Sequence, residues 1–384
     1  MKKLFLVYGL CMFVFFAEAQ IDSLKESALD LYNIQDYSTA LNLYEKCLAI
    51  DSSDIESYEK AGLSAYKMGE IPKARQLFLA LEKRDTTNRL ARTQLATIYE
   101  QENNTPKAIK YYYKLNKMFP DNAIYYRKLA QQFNSAGLKI DAFKFYAKAY
   151  KRNPRDLFTI KGISEMFLNN QQYTEADSLL RAGILLDTLN INFHQLLATS
   201  KYKQKDYDST VYYLKRISGR VDLKPYYNKM LGYSYIQIDS FEKSIPYLFK
   251  SITDPGHNEH SHYYLATAYS KLDSTEYAIH HFQKALDEGI SDNVDLYHRN
   301  LAKIFNEQDD LKIAIEHYQD AYKYGKDPLV LFYLGRAADV YYKDKNIAIR
   351  YYDRFVKSGY DHPEYKKYAQ SRKRYLKEQA HQKS

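Results

Sequence analysis

The sequence predicts an all-α protein, a solenoid of about ten helix-turn-helix repeats that ends in a C-terminal capping helix. The 384 residues include only 13 glycines and 9 prolines, so few residues interrupt helices. Apolar residues recur at spacings of three and four, as in "YYLATAYSKLDSTEYAIHHFQKAL" (263–286), where a polar turn separates two amphipathic segments. Small residues also return at a fixed distance of 34 residues, which suits one pair of helices and indicates a repeat array.

Three columns of residues keep this 34-residue phase at eight successive positions. The first column is small throughout: Ala28, Gly62, Ala96, Ala130, Ser164, Ala198, Gly232 and Ala266. Twelve residues after each of them lies another small residue: Ala40, Ala74, Ala108, Ala142, Ala176, Thr210, Ser244 and Ala278. The third column, four residues further on, is always bulky: Tyr44, Phe78, Tyr112, Tyr146, Leu180, Leu214, Leu248 and Phe282. Small residues let two helices approach and a bulky side chain fills the remaining gap, so the columns predict where the helices of each pair cross.

This pattern resembles the tetratricopeptide repeat, a helix-turn-helix unit of 34 residues with small residues at its eighth and twentieth positions and an aromatic residue at its twenty-fourth. The resemblance implies a right-handed superhelical solenoid and a repeat array over residues 20–360. Repeats are expected to begin at residues 21, 55, 89, 123, 157, 191, 225, 259, 295 and 328. The last two starts allow for two residues inserted near "DEGISDN" (287–293) and for a longer inner turn in the tenth repeat.

The two ends of the chain lie outside the predicted array. Residues 1–19 combine two lysines, an apolar stretch and the small-x-small sequence "AEA" (17–19), which is typical of a secretory signal peptide. A retained membrane anchor and a lipoprotein signal at Cys11 are the alternatives. Residues 361–384 predict a basic capping helix and tail, because a solenoid needs a polar end to cover its last open core. The alternative for this tail is a basic handle for an anionic surface.

Export determines the expected environment of the remaining chain. Cleavage after Ala19 leaves Gln20 as the first residue and Cys47 as the one thiol, so no disulfide can form within the chain and this thiol is expected to be buried. No later stretch approaches the length of about 18 apolar residues that a membrane helix needs, so the mature protein is expected to be soluble. Peripheral contact with a membrane stays open. The resemblance to exported repeat proteins implies a Gram-negative periplasm of the Bacteroidetes type.

The sequence predicts neither an enzyme nor a cofactor. It contains no Gly-rich phosphate loop, no HExxH, no GxSxG and no paired-cysteine motif. The histidines in "DPGHNEHSHYY" (254–264) match no zinc signature, so no metal site is predicted. The net charge of +9 is the one feature that favours nucleic acid, which an exported protein is not expected to meet.

The resemblance implies a concave surface built from the first helix of each repeat. Carried over by register, the positions that face it give a predicted binding groove of twelve residues: Arg127, Gln131, Asn134, Lys161, Gln195, Tyr202, Lys229, Tyr233, Tyr263, Lys271, Arg299 and Lys303. Cations attract acidic groups, amides bond to main chain, and tyrosine combines apolar contact with a polar tip.

We therefore expect a non-catalytic scaffold or adaptor of the bacterial cell envelope that binds an extended polar or acidic segment of a protein partner in this groove. The alternative function is a component of envelope polysaccharide export or assembly, with an anionic glycan as the ligand. A set of solvated side chains that binds nothing is the plainer interpretation of the same twelve positions.

Overall fold

The structure, a computed structural model, describes residues 19–253, 258–289 and 292–382. These residues form 21 α-helices and no strand, packed in consecutive pairs, which confirms the predicted fold class. Residues 1–18, the greater part of the predicted signal peptide, lie outside the described residues. In the described part of the chain, no helix is both long and apolar enough to cross a membrane. The chain divides into two compact units, Met1–Thr188 and Leu189–Ser384.

The first unit contains ten helices within its described residues. They are α1 (19–33), α2 (Tyr37–Ile50), α3 (Ile55–Lys67), α4 (Ile71–Arg84), α5 (Arg89–Gln101), α6 (Thr105–Met118), α7 (Ala123–Ser135), α8 (Lys139–Arg152), α9 (Leu157–Asn169) and α10 (Tyr173–Leu186). From α2 to α10 each helix packs on the next one in sequence. The odd-numbered helices are the first helices of their pairs, and two of them, α7 and α9, also touch each other.

The second unit continues the same order of pairs. Its helices are α11 (Ile191–Lys203), α12 (Tyr207–Ser218), α13 (Pro225–Gln237), α14 (Phe241–Ser251), α15 (Glu259–Lys271), α16 (Thr275–Asp287), α17 (Val294–Glu307), α18 (Leu311–Gly325), α19 (Pro328–Tyr341), α20 (Lys345–Lys357) and α21 (Pro363–Gln382). Each helix packs on the next, and the first helices α11, α13 and α15 also contact one another in turn. This contact between first helices creates a shared face along the second unit.

The core of each unit lies at the helix crossings that the three columns predict. All residues of the three columns are buried. A Cβ atom added to Gly62 would lie 2.7 Å from the ring of Phe78, and one added to Gly232 would lie 2.5 Å from Leu248 Cγ. The bulky residue of each of these pairs therefore sits directly on the small residue sixteen positions before it.

The inner turns of the first nine pairs share one backbone conformation. In each turn, one residue has a positive φ, between 53° and 80°. These residues are Gln35, Gly69, Asn103, Gly137, Gln171, Lys205, Asp239, Asp273 and Asp309. The turn of the tenth pair contains no residue with a positive φ. The sequence predicted a longer inner turn for this pair, but the extra residue belongs to α19, which extends to Tyr341.

The last helix, α21, covers the end of the second unit. Ala369 and Leu376 are buried in the core that α21 shares with α19 and α20. Arg372 Nε lies 2.6 Å from Asp339 Oδ2 on α19, so a basic residue of the tail also holds the helix in place. This arrangement fits the predicted capping helix.

The one thiol among the described residues is enclosed. Cys47 is fully buried on α2, as the sequence predicts for this unpaired thiol. Burial raises the pKa of its thiol, so the reactive thiolate is disfavoured.

Candidate functional site

The twelve residues of the predicted groove lie on the first helices α7, α9, α11, α13, α15 and α17. Arg127, Gln131, Asn134 and Lys161 belong to the first unit, and the other eight belong to the second. Gln131 and Gln195 are half-buried, whereas Asn134 and Lys271 are exposed.

Two arginines of the groove are held by the aspartate at the start of the next first helix. Arg127 Nη1 lies 2.7 and 2.8 Å from the two carboxylate oxygens of Asp156, the N-cap residue of α9. Arg299 Nη1 lies 2.8 Å from Asp327 Oδ2, and Asp327 is the N-cap residue of α19. Both arginines therefore link successive repeats, and their charge is largely balanced before any ligand arrives.

The lysines of the groove fall into two groups. Lys161 and Lys303 each face a glutamate one turn later on their own helix, with nitrogen–oxygen distances of 2.6 and 3.8 Å. Such exposed pairs contribute little stability, but they reduce the local positive charge. Lys229 and Lys271 make no ion pair among the described residues, so they are the groove cations left for a ligand.

One part of the groove is a cluster of tyrosines on α11, α12, α13 and α15. We term it the tyrosine patch, and it consists of Tyr202, Tyr207, Tyr226, Tyr233, Tyr263 and Tyr264. The ring centroid of Tyr233 lies 5.7 Å from that of Tyr202, 5.8 Å from that of Tyr207 and 4.7 Å from that of Tyr264. The first two contacts are edge-to-face, a favourable arrangement for aromatic rings. The rings therefore support one another and leave notches rather than one flat surface.

Two open cavities adjoin within the tyrosine patch. The smaller, of about 190 Å³, is lined by Tyr202, Tyr226, Lys229, Met230, His260 and Tyr264. The larger, of about 320 Å³, is lined by Tyr233, Ile236, Gln237, His260, Tyr263, Tyr264, Thr267, Asn293, Leu296 and Tyr297. The two are neighbours because His260 and Tyr264 line both. Among the described residues, the lining of neither cavity includes an aspartate or a glutamate.

Three hydroxyl groups of the patch are available to a ligand. In the part of the chain that the structure describes, the phenol oxygens of Tyr202, Tyr226 and Tyr264 make no hydrogen bond. Burial raises the pKa of all three phenols, and neighbouring tyrosines raise it further at Tyr202 and Tyr264. The groups therefore stay protonated at neutral pH, and each can donate a hydrogen bond.

The two cavities are lined both by residues of the predicted groove and by residues that the sequence did not assign to it. Four members of the predicted groove meet there: Tyr202, Lys229, Tyr233 and Tyr263. Sequence reasoning missed Tyr264, which has no facing position in the repeat register, and His260. For His260 a signal existed, because it occupies the second position of its repeat, as Tyr226 does one repeat earlier.

A third cavity lies further along the second unit, among α17, α19 and α21. It measures about 600 Å³, and Arg299 and Lys303 of the predicted groove line it together with Arg336. Its lining also contains the carboxylates of Glu307, Asp309 and Asp339. Because acids and bases are mixed there, this larger cavity favours no single charge on a ligand, and the tyrosine patch is the better-defined site.

The histidines of the segment 254–264 do not form one cluster. Asp254 and His257 lie outside the described residues. His260 lines the patch, whereas His262 is buried, with its Nδ1 atom 3.0 Å from Nδ1 of His281 on α16. Within the described ranges, no group of three or more His, Cys, Asp or Glu side chains is placed to hold a metal ion.

The buried histidine pair recurs in the next repeat. His298 Nδ1 on α17 lies 2.9 Å from His317 Nδ1 on α18, and both histidines follow those of the first pair by 36 residues. Burial lowers the pKa of all four rings, to about 4 for His281. Each pair joins the two helices of its repeat. His262 and His281 are buried, whereas His298 and His317 are half-buried.

Comparison with known proteins identifies the repeat. Residues 59–123, from α3 to the first residue of α7, match the family model described as tetratricopeptide repeat. No curated protein matches the chain.

Solved structures of helical-repeat proteins resemble the chain at low identity. A tetratricopeptide repeat protein from Parabacteroides merdae is 14% identical with a TM-score of 0.45, and the match covers 62% of this chain and 95% of that one. YrrB, described as a TPR protein with an unusual peptide-binding site, is 19% identical with a TM-score of 0.44, covering 46% of this chain and 92% of that one. PilF of Pseudomonas aeruginosa is 14% identical with a TM-score of 0.45, covering 52% of this chain and 90% of that one.

Proposed function

Because the chain carries tetratricopeptide repeats, which generally serve as non-catalytic scaffolds for protein partners, we propose that it holds an extended segment of a partner protein on the first-helix face of its second unit. The observation that carries this proposal is the pair of adjoining cavities in the tyrosine patch. Tyrosine is enriched at protein interfaces because it offers a large apolar area and a polar tip at a small entropic cost.

The chemistry of this face suits a polar main chain. Phenol hydroxyls donate to carbonyl groups, and the amide of Gln237 in the larger cavity both donates and accepts. Lys229 and Lys271 add attraction for acidic or polar groups of the segment. The surface thereby combines apolar contact with hydrogen bonds, as extended peptides require.

Site-specific photo-crosslinking in cells that produce the protein tests the proposal. The probe replaces Tyr226, which is 52% exposed, or Lys229, and the control probe replaces Tyr277, which is 60% exposed on the second helix α16. We expect both patch positions to capture one protein through the same short segment and the control to capture none of it.

Equal capture at the Tyr277 control would contradict the proposed site. Glycan adducts at Tyr226 and Lys229 would instead support the polysaccharide-export alternative.

We further propose that the protein is exported to the periplasm of a Gram-negative cell envelope. The pattern of residues 1–19 supports this location. Mass spectrometry of the protein isolated from its own cells should find Gln20 as the first residue. A mature protein that keeps residues 1–19 would contradict cleavage and favour an anchored form.

A further inference from the structure

We propose that the tyrosine patch binds a proline-rich segment in the polyproline II conformation. This inference rests on the proposed scaffold function and names the chemistry of the partner segment. It follows from the hydrogen-bonding groups of the patch, from the shape left between its rings and from the charge of its surroundings.

The patch holds several hydrogen-bond donors that make no hydrogen bond within the described chain. Three phenol groups, those of Tyr202, Tyr226 and Tyr264, have no partner among the described residues, and Lys229 adds an ammonium group. No carboxylate in the described lining accepts from a ligand. An ordinary extended peptide brings one N–H donor per residue, and each donor that is buried needs an acceptor. Proline has no N–H group, so a proline-rich segment presents carbonyl acceptors and few donors, which complements this surface.

The conformation of such a segment also fits. Polyproline II has no internal hydrogen bonds, so its carbonyl groups point outward and can accept from the phenols. It has three residues per turn and rises about 3.1 Å per residue, so side chains three positions apart lie on the same side. The two adjoining cavities, which share His260 and Tyr264, offer successive notches for pyrrolidine rings on that side.

Aromatic-lined grooves are the usual surface for this conformation, because the segment is already ordered and loses little entropy on binding. An acidic segment would find one unpaired cation in the two cavities, Lys229, because the groove arginines already face aspartates. A glycan would bring many hydroxyl donors, for which the described lining offers neutral oxygen atoms but no carboxylate, the stronger acceptor. The proline-rich segment is therefore the ligand that the patch fits best.

Fluorescence anisotropy on the mature full-length chain tests this inference. The probes are a capped, fluorophore-labelled oligoproline peptide and two capped peptides of equal length, one alternating Asp and Ser and one alternating Gly and Ser. The variants Tyr202→Phe, Tyr226→Phe and Tyr264→Phe each remove one hydroxyl and keep the ring. Tyr277→Phe, on the second helix α16, is the matched control.

We expect the oligoproline to bind saturably and more tightly than either comparison peptide. Each patch variant should weaken binding about threefold to tenfold, since it removes one hydrogen bond, and the control should leave it unchanged. Circular dichroism of every variant confirms that the fold is kept, which the removal of a hydroxyl without a partner should not disturb.

Tighter binding of the acidic peptide, no oligoproline binding by the folded chain, or unchanged affinity in all three patch variants would overturn the inference. The crosslinking experiment distinguishes failure of the polyproline inference from failure of the proposed scaffold function. A captured partner segment without proline removes the polyproline inference alone, whereas no specific capture at Tyr226 and Lys229 removes both.

Discussion

Single residues at the helix crossings decide how closely the paired helices approach. Gly62 faces the buried ring of Phe78, and Gly232 faces the buried Leu248. A methyl group at either glycine would lie under 3.0 Å from that side chain, which is fully buried. Gly219 is the opposite case, because a Cβ atom there would meet nothing within 4 Å.

The variant Gly62→Ala should therefore destabilise the first unit, whereas Gly219→Ala should not. Overpacking of a tight core typically costs about 1–3 kcal/mol. Alanine in open space at a compatible backbone position is neutral or stabilises by up to about 1 kcal/mol. Thermal unfolding followed by circular dichroism measures both. Equal midpoints for the two variants would show that the crossing tolerates a side chain.

At the scale of helix pairs, two of the repeats each contain a pair of histidines that joins their two helices. In each pair, one Nδ1 atom must donate and the other accept, because the two atoms lie only 2.9–3.0 Å apart. The first additional proton can bind to an Nε2 atom on the outer side of the pair, which keeps the hydrogen bond. A second proton would leave both Nδ1 atoms protonated, so that two donors would face each other. Burial disfavours protonation of His262, and Glu288, with a carboxylate oxygen 4.0 Å from its Nε2 atom, only partly opposes this effect.

The stability of the second unit should fall as the pH drops from about 6.5 towards about 4. The folded pKa of these histidines is below the ordinary value near 6.5, and about 4 for His281. The unfolded chain therefore takes up protons in this range that the folded chain does not, and unfolding becomes more favourable. Well above pH 6.5 all four rings are neutral in both states, and this contribution no longer changes with pH.

Thermal midpoints at about pH 7 and about pH 5 measure the effect. The double variant His262→Asn, His281→Tyr installs the residues that the preceding repeat carries at the same positions, Asn228 and Tyr247. We expect it to have a smaller pH dependence than the native chain. The exposed His280→Asn should change the pH dependence less, because His280 acts on the pair only through its charge. An undiminished pH dependence in the double variant would exclude the pair as its source.

At the scale of the whole molecule, the sequence predicted the helix crossings because their cause is local and periodic. Every repeat needs small residues where its two helices meet, so the 34-residue phase is visible in the chain itself. The shared turn conformation was not visible, because residues as different as Gln35 and Lys205 adopt the positive φ that Gly69 adopts.

The candidate site was predicted only in part, because it depends on contacts between repeats. The repeat register gave the facing residues, but it could not show that Arg127 is held by Asp156, which follows it by 29 residues. Lys25 and Asp54 have the same spacing and lie 2.8 Å apart, so a cation followed at this distance by a helix N-cap aspartate is a signal that can be read from sequence. The tyrosine patch had no such signal at Tyr264 or Tyr207.

Unfolding of the whole chain should not be a single two-state step. Each described helix contacts mainly its sequence neighbours, and the chain forms two compact units. Repeat proteins of this kind unfold in parts, so scanning calorimetry should give a van't Hoff enthalpy smaller than the calorimetric enthalpy. Gly62→Ala and Gly232→Ala, one in each unit, should lower different parts of the transition. One transition with equal enthalpies would contradict this expectation.

The second histidine pair follows the first by 36 residues, and much of its surroundings follows at the same distance. Leu265, Ala266, Asp273, Ile279 and Gln283 have the same residue type at Leu301, Ala302, Asp309, Ile315 and Gln319. Agreement of this kind is what tandem duplication of one repeat would leave in the sequence. A buried imidazole without a hydrogen-bond partner lowers stability, so acquiring the two histidines by successive single mutations would pass through a less stable protein. Duplication of a repeat would supply both histidines, and therefore the contact between them, in one step.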